Sequence, residues 1–162
     1  MPTDTVYGLA AKLEHKRAID RIFEVKRRSR SKPLPVLVRD LDDAMQIAAF
    51  PSEALTIARD RWPGATTLVL KAVPPLPRIG GDGGTVGLRI PNHPFALALL
   101  ERSGPLAATS ANPSGETTSP VVDDIAADLG DAVDLYVDGG RLDAPPSEVI
   151  SVVGKRRTLR AR

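Results

Sequence analysis

The sequence predicts an α/β or α+β domain built on one sheet of mixed parallel and antiparallel strands with flanking helices. Two observations carry this reading. Short apolar strand-like runs interleave with amphipathic helical stretches along most of the chain, and strands cluster near its end. The length of 162 residues with 42% apolar content suits one domain with a substantial core.

The elements follow in order. Residues 2–9 are a loop rich in small polar side chains. Residues 15–29 form a helix, with Ala18, Ile19, Ile22, Phe23 and Val25 as its apolar stripe and Lys and Arg at its end. Leu34-Pro35-Val36-Leu37-Val38 is a short buried strand. Residues 41–50 and 52–61 are two helices broken at Pro51, with Ser52 as the N-cap of the second. Residues 66–73 are a strand, and 74–84 a Pro- and Gly-rich loop. Residues 85–90 are a strand, 94–102 a helix and 106–109 a strand leading into a second polar loop. Residues 121–129 are a helix with Asp123 and Asp124 in its first turn. Residues 135–137, 148–153 and 157–159 are late strands.

Composition narrows the chemistry. Mean hydropathy is −0.11 and formal net charge only +2, with a pI near 9.1, so basic residues matter by where they cluster. The absence of cysteine excludes disulfides, thiolate metal sites and cysteine nucleophiles, and fits a cytoplasmic protein. No apolar run approaches the roughly 18 residues that cross a bilayer, and no secretory signal is visible.

Two loops and a basic run carry the functional signal. Pro2-Thr3-Asp4-Thr5-Val6-Tyr7-Gly8-Leu9 and Thr109-Ser110-Ala111-Asn112-Pro113-Ser114-Gly115 set small hydroxyl and amide groups beside Gly or Pro, chemistry suited to holding an anion. Residues 26–32 hold Lys or Arg at five of seven positions. This run reads either as a solvated helix end or as a phosphate site, with Lys as point charge and Arg as fork. Arg89 stands inside the apolar run Gly87-Leu88-Arg89-Ile90, where a charge needs a partner. It is therefore either ion-paired to some carboxylate or turned to an anionic ligand. His93 reads as a helix-start residue. Asp82, Asp123, Asp124, Asp128 and Asp131 are too scattered for a metal cage, and His15 and His93 too far apart for a local metal motif. No Walker A, GxGxxG, HExxH or GxSxG motif occurs. The glycine-rich stretch 80–84 reads as a lid, a plain turn or a phosphate cradle.

Five segments occur in a telling order: P-T-D-T-V-Y-G-L, Lys26-x-Arg28, W-P-G-A-T-T-L-V-L at 62–70, V-G-L-R-I-P-N-H-P at 86–94, and T-S-A-N-P-S-G at 109–115. Together they resemble the YrdC-like threonylcarbamoyl-AMP synthase family, in its short single-domain form, along essentially the whole chain. The resemblance implies a twisted mixed sheet with a basic concave cavity. It also implies a nucleotidyltransferase that makes threonylcarbamoyl-AMP and pyrophosphate from L-threonine, bicarbonate and ATP. The product would serve tRNA modification through separate transfer proteins, with possible tRNA or RNA contact and no membrane. By the family pattern Thr5, Arg89, Ser110 and Ser147 face threonine. Arg28, Lys32, Thr85, Asn112 and Arg160 face ATP, Lys26 lies at the phosphates, and Lys26 and Arg28 supply electrostatic stabilisation. Mg²⁺ would arrive on the ATP phosphates. Such a reaction asks the protein for positioning and positive charge more than for an acid–base pair.

The chain departs from the family pattern in places. The family's first helix and strand are missing before Pro2, so a longer, anchored form is expected, and without it a neighbouring strand keeps an unpaired edge. Glu148 stands where Thr is usual, putting a negative charge near the expected threonine site. Leu37 replaces a His common in longer members. The loop after Gly115 is one residue longer than usual. Two alternatives stand beside the synthase: an RNA-binding module, which has few aromatics for stacking, and a paralogue of the same fold with altered or lost activity.

Overall fold

Strands form where β-branched and apolar residues run together. The structure, a computed structural model, describes residues 1–73, 79–81 and 84–162. Among these, eight strands make one sheet: β1 (Gly8–Lys12), β2 (Val36–Leu37), β3 (Ala48–Ala49), β4 (Thr66–Ala72), β5 (Thr85–Arg89), β6 (Leu106–Ser110), β7 (Glu148–Ser151) and β8 (Arg157–Arg160). Five helices flank it: α1 (Lys16–Val25), α2 (Leu41–Ile47), α3 (Ser52–Arg61), α4 (Pro94–Ser103) and α5 (Val122–Leu129). The strand order is β1-β6-β2-β5-β4-β7-β8, with β3 paired to β4. The β2–β5 and β4–β7 pairs are parallel and the other pairs antiparallel, as the expected mixed sheet requires.

Side-chain alternation gives the sheet two unlike faces. On one, Leu9, Ala11, Val36, Leu68, Leu70, Val86, Leu88, Ala107 and Ile150 form the main core. Helices α1, α2, α3 and α5 bury against it through Ile19, Ile22, Phe23, Ile47, Ile57 and Ile125. On the other face, Leu37, Leu106 and Ala108 pack with Leu100 of α4 in a smaller cluster. That apolar cluster covers only part of its face. The register continues it into polar residues: Leu106 opposes Leu37, and Leu37 opposes Arg89. Arg89 and Thr67 follow directly on the Leu88–Leu68 pair, Thr67 neighbours Val149, and Val149 opposes Arg160. The half of this face left by α4 is therefore where the chemistry-bearing side chains gather.

The structure departs from expectation in several places. The expected helix over 15–29 ends at Val25. Residues 23–28 close it with paired bonds, Arg28 N to Phe23 O (2.9 Å) and Arg27 N to Glu24 O (3.0 Å). Arg27 takes the left-handed conformation (φ 50°) that such a cap needs and that glycine usually supplies. The helix over 41–50 stops at Ile47, because Ala48 and Ala49 pair with β4. Ser52 does not cap α3; Pro51 holds that position without a side-chain bond. Strand β1 falls partly within the expected loop and was hidden by its short Ala-rich run. Residues 135–137 are not a strand. Leu135 is exposed, Tyr136 donates to Gly130 O (2.7 Å), and the chain just beyond is held by Tyr7, which accepts from Gly139 N (2.9 Å) and donates to Gly140 O (2.6 Å). Gly139 passes so near Pro2 that a Cβ there would sit 2.4 Å from the proline Cβ. Of the expected loop over 74–84, residues 74–78 and 82–83, Asp82 among them, lie outside the described residues. Gly81 N donates to Arg30 O (2.7 Å), so the described part is a turn seated on the basic segment.

Candidate functional site

The polar half of the sheet face is organised around Arg89. Its position on a central strand puts it deep, with 8% of the side chain exposed. Burial is the largest influence on its guanidinium and lowers its pKa; Asp4 opposes this. Nε donates to Gly64 O (3.0 Å), Nη1 to Thr5 Oγ1 (3.1 Å) and Nη2 to Asp4 Oδ1 (2.6 Å). Arg89 thus has the carboxylate partner that a buried charge demands, and Asp4 of the first loop supplies it. The loop is shaped for this by its threonines: Thr3 Oγ1 donates to Val6 O (2.6 Å), accepts from Thr5 N (3.2 Å) and lies 3.1 Å from Thr5 Oγ1.

A second group lies further along the same face. Arg160 donates from Nε to Ser147 O (2.8 Å) and from Nη2 to Ser147 Oγ (3.0 Å), and Thr67 Oγ1 stands 3.0 Å from the same serine hydroxyl. Arg160 and Arg162 lie near enough to Arg89 to disfavour its charge. Of the positions expected to bind substrate, Thr5 is thus bonded to Arg89 and Ser147 to Arg160, and the two groups lie near enough for their charges to interact.

The second loop is clamped from below. The cap of α1 turns Lys26 inward, where it is 2% exposed. Its Nζ donates to Ser110 O (2.5 Å) and to Asn112 O, and lies 3.5 Å from Asn112 Oδ1. The Lys26 carbonyl in turn accepts from Ser114 N (3.0 Å). Burial, with Arg28 adding repulsion, lowers the Lys26 pKa to about 8. Asn112 is spent within the loop as well. Its Nδ2 donates to Pro113 O (2.7 Å) and Glu116 O (2.6 Å), and its Oδ1 accepts from Thr118 (3.0 Å). The longer loop after Gly115 is thus stitched back onto Asn112. Lys26 and Asn112, expected at ATP, build the loop's frame, while the Ser110 hydroxyl carries no hydrogen bond among the described residues.

The rest of the basic run behaves differently. Arg28 donates to Lys32 O and Pro33 O (3.0 Å each), which closes the turn and leaves further donors, and burial lowers its pKa. Lys32 is exposed. Thr85 opens β5, four residues or about 13 Å along the strand from Arg89. Arg28, Lys32 and Thr85 are not joined to the Arg89 group by any hydrogen bond among the described residues. The run is neither a bare solvated helix end nor wholly open to a ligand.

Glu148 does not load the Arg89 group with negative charge. Alternation turns it to the opposite face from Ser147, where it pairs with Arg61 of α3 (2.7 Å). Sequence reasoning missed Asp4, Thr67 and the Gly64 carbonyl. Asp4 was the legible one, a lone carboxylate inside a loop of threonines. No three of His, Cys, Asp and Glu gather as a metal site among the described residues. No helix among them is long and apolar enough to cross a membrane. A cavity of about 280 Å³ beside β1 is lined by apolar residues such as Leu9, Leu99, Leu106, Ile125 and Val137, and none of the expected site residues faces it. It is not the expected basic cavity; convergent polar groups mark the Arg89 face instead.

A family model covering Sua5, YciO and YrdC, described as "Telomere recombination", matches residues 1–161. The chain belongs to this family. The threonylcarbamoyl-AMP synthase of Bacillus subtilis is 40% identical over 143 residues, which are 86% of this chain and 41% of that protein. The structure of Pyrococcus abyssi Sua5 complexed with L-threonine superposes with a TM-score of 0.92 at 36% identity, covering 98% of this chain and 48% of that one. Escherichia coli YciO superposes at 0.90 and 31% identity, covering 98% of this chain and 80% of that one. The chain thus spans less than half the length of the first two relatives, and the shared part is the whole sheet described above.

Proposed function

We propose that this domain is a threonylcarbamoyl-AMP synthase, a nucleotidyltransferase using L-threonine, bicarbonate and ATP. The observation that carries the reading is the buried Arg89 held by Asp4, Thr5 and Gly64 on the open half of a sheet face. Support comes from relatives of that name and from a relative solved with L-threonine.

In this reading Arg89, with Thr5 and Ser147, receives the threonine carboxylate and hydroxyl. Arg89 keeps two N–H donors beyond those used by the protein, enough for a carboxylate. The threonine nitrogen adds to the carbon of bicarbonate, water leaves, and a carbamate forms. A carbamate oxygen then attacks the ATP α-phosphorus. The new O–P bond forms as the α–β bridging bond breaks, and pyrophosphate leaves with that electron pair. Arg28, Lys32, Thr85 and Arg160 face the nucleotide and its phosphates, Ser110 the join between substrates. Lys26 and Asn112 keep the loop that carries Ser110 in shape. Nothing in this scheme needs a protein nucleophile; alignment and positive charge provide the acceleration. Mg²⁺ would ride on the triphosphate, since the described residues gather no carboxylate cluster to hold it alone. The product would pass, in the cytoplasm, to separate proteins that modify tRNA.

A paralogue role remains the second reading, favoured by the match to E. coli YciO over 80% of that chain. One assay separates the two. Pyrophosphate release and mass-spectrometric detection of threonylcarbamoyl-AMP are measured with all three substrates and with each omitted. The synthase reading expects product only in the complete mixture. ATP and threonine bound without product formation would support the paralogue.

A further inference from the structure

We propose that Asp4 is a specificity-determining residue that receives the α-amino group of the substrate while Arg89 receives its carboxylate. The inference rests on the reading of this face as a threonine site.

Arg89 is buried and Asp4 partly so, with 8% and 14% of the side chains exposed, yet the two are joined through one carboxylate oxygen. A carboxylate serving only as a buried counter-ion gains most by using both oxygens on the guanidinium fork. Here Nε and Nη1 go to Gly64 O and Thr5 instead. Asp4 Oδ2 takes no hydrogen bond among the described residues. The site therefore presents, side by side, two spare N–H donors of a cation and one spare oxygen of an anion.

That arrangement is the complement of a zwitterion whose carboxylate and amine share one carbon. It suits a plain anion poorly. A phosphate or simple carboxylate approaching Arg89 meets the Asp4 charge, so the pair selects by repulsion as well as attraction. The same repulsion turns the triphosphate of ATP away from Arg89 and toward Arg28, Lys32 and Arg160. The contact also survives the chemistry: the nitrogen offers an N–H as ammonium, as amine and as carbamate. Asp4 thus positions the nitrogen and takes no part in bond making.

The test is calorimetric titration without ATP, using L-threonine and (R)-3-hydroxybutyrate, which is threonine lacking the amino group. Wild-type protein, Asp4→Asn and Asp4→Glu are compared, each with a thermal melt. Asp4→Glu keeps a counter-charge for Arg89 but moves the carboxylate by one methylene. Wild-type protein is expected to favour threonine by about 30-fold or more, the scale of a charge-assisted contact to an amine. In either variant threonine affinity falls by roughly 10- to 100-fold, and the preference shrinks to within about threefold. A folded variant that keeps the wild-type preference overturns the role of Asp4 and leaves the threonine site standing. Equal wild-type affinity for both ligands also overturns it, whether or not the variants fold. Wild-type protein that binds neither ligand overturns the threonine reading, and this inference with it.

Discussion

Replacing Arg89 by methionine separates what this residue does for the fold from what it does for the ligand. The substitution removes three hydrogen bonds and strands the Asp4 carboxylate, which is 14% exposed, without its cation. Breaking a buried pair from one side costs about 3–5 kcal/mol, because the remaining charge is left desolvated. In a domain of this size each kcal/mol moves the melting temperature by about 2–4 °C, so the melt falls by about 6–20 °C. The double variant Arg89→Met/Asp4→Asn strands no charge. It recovers most of that loss and rests about 1–2 kcal/mol below wild type, the cost of the neutral hydrogen bonds that remain unmade. Threonine affinity behaves otherwise: it is lost in Arg89→Met and stays lost in the double variant. The assay is differential scanning calorimetry of the four corners of the cycle, with threonine titrations on the folded forms. A single variant melting within about 2 °C of wild type, or a double variant no more stable than the single, would show that Asp4 does not depend on Arg89 as its counter-ion.

Three further outcomes follow from the same geometry. Lys26 titrates near pH 8 in the folded chain against 10.5 unfolded, so between these values the unfolded chain holds a proton that the folded chain has lost. Stability of wild type relative to Lys26→Met therefore rises from pH 8 to 10.5, and a flat difference in melting temperature across that range contradicts the buried clamp. Ser110→Ala lowers turnover with a melt shift equivalent to less than about 0.5 kcal/mol, whereas Asn112→Ala, which breaks three loop bonds, lowers both turnover and stability by about 2–3 kcal/mol. Equal melts for these two variants would show that the loop does not depend on Asn112. Glu148→Thr removes a partly exposed ion pair worth about 0–1 kcal/mol and leaves the threonine KM within about twofold, since its side chain faces away from Arg89; a large KM change would place Glu148 at the ligand.

Most of the fold was legible because its signals were local. Residues 66–73 and 85–90 announced strands by composition, and the stripe of α1 announced its buried face. What failed depended on partners distant in sequence. Strand β1, rich in alanine, is a strand because β6 lies beside it, and Ala48 and Ala49 extend because β4 does. Residues 135–137 have strand propensity but pair with no strand among the described residues; the Tyr136 hydroxyl ties the segment to Gly130, and the Tyr7 hydroxyl holds the chain just after it. The site was legible as a set of loops and charges, since a buried arginine and polar loops beside glycine are costly unless used. Its internal division was not. That Lys26 faces main-chain carbonyls depends on the left-handed turn at Arg27, and that Asp4 answers Arg89 depends on a contact spanning 85 residues.

The most direct test of the account is a crystal structure of this chain with L-threonine. The threonine carboxylate is expected within about 3 Å of the two spare Arg89 donors, on the sheet face between α4 and Arg160. Threonine bound elsewhere, or an Arg89 that keeps only Asp4, Thr5 and Gly64 as partners in the occupied site, would contradict it.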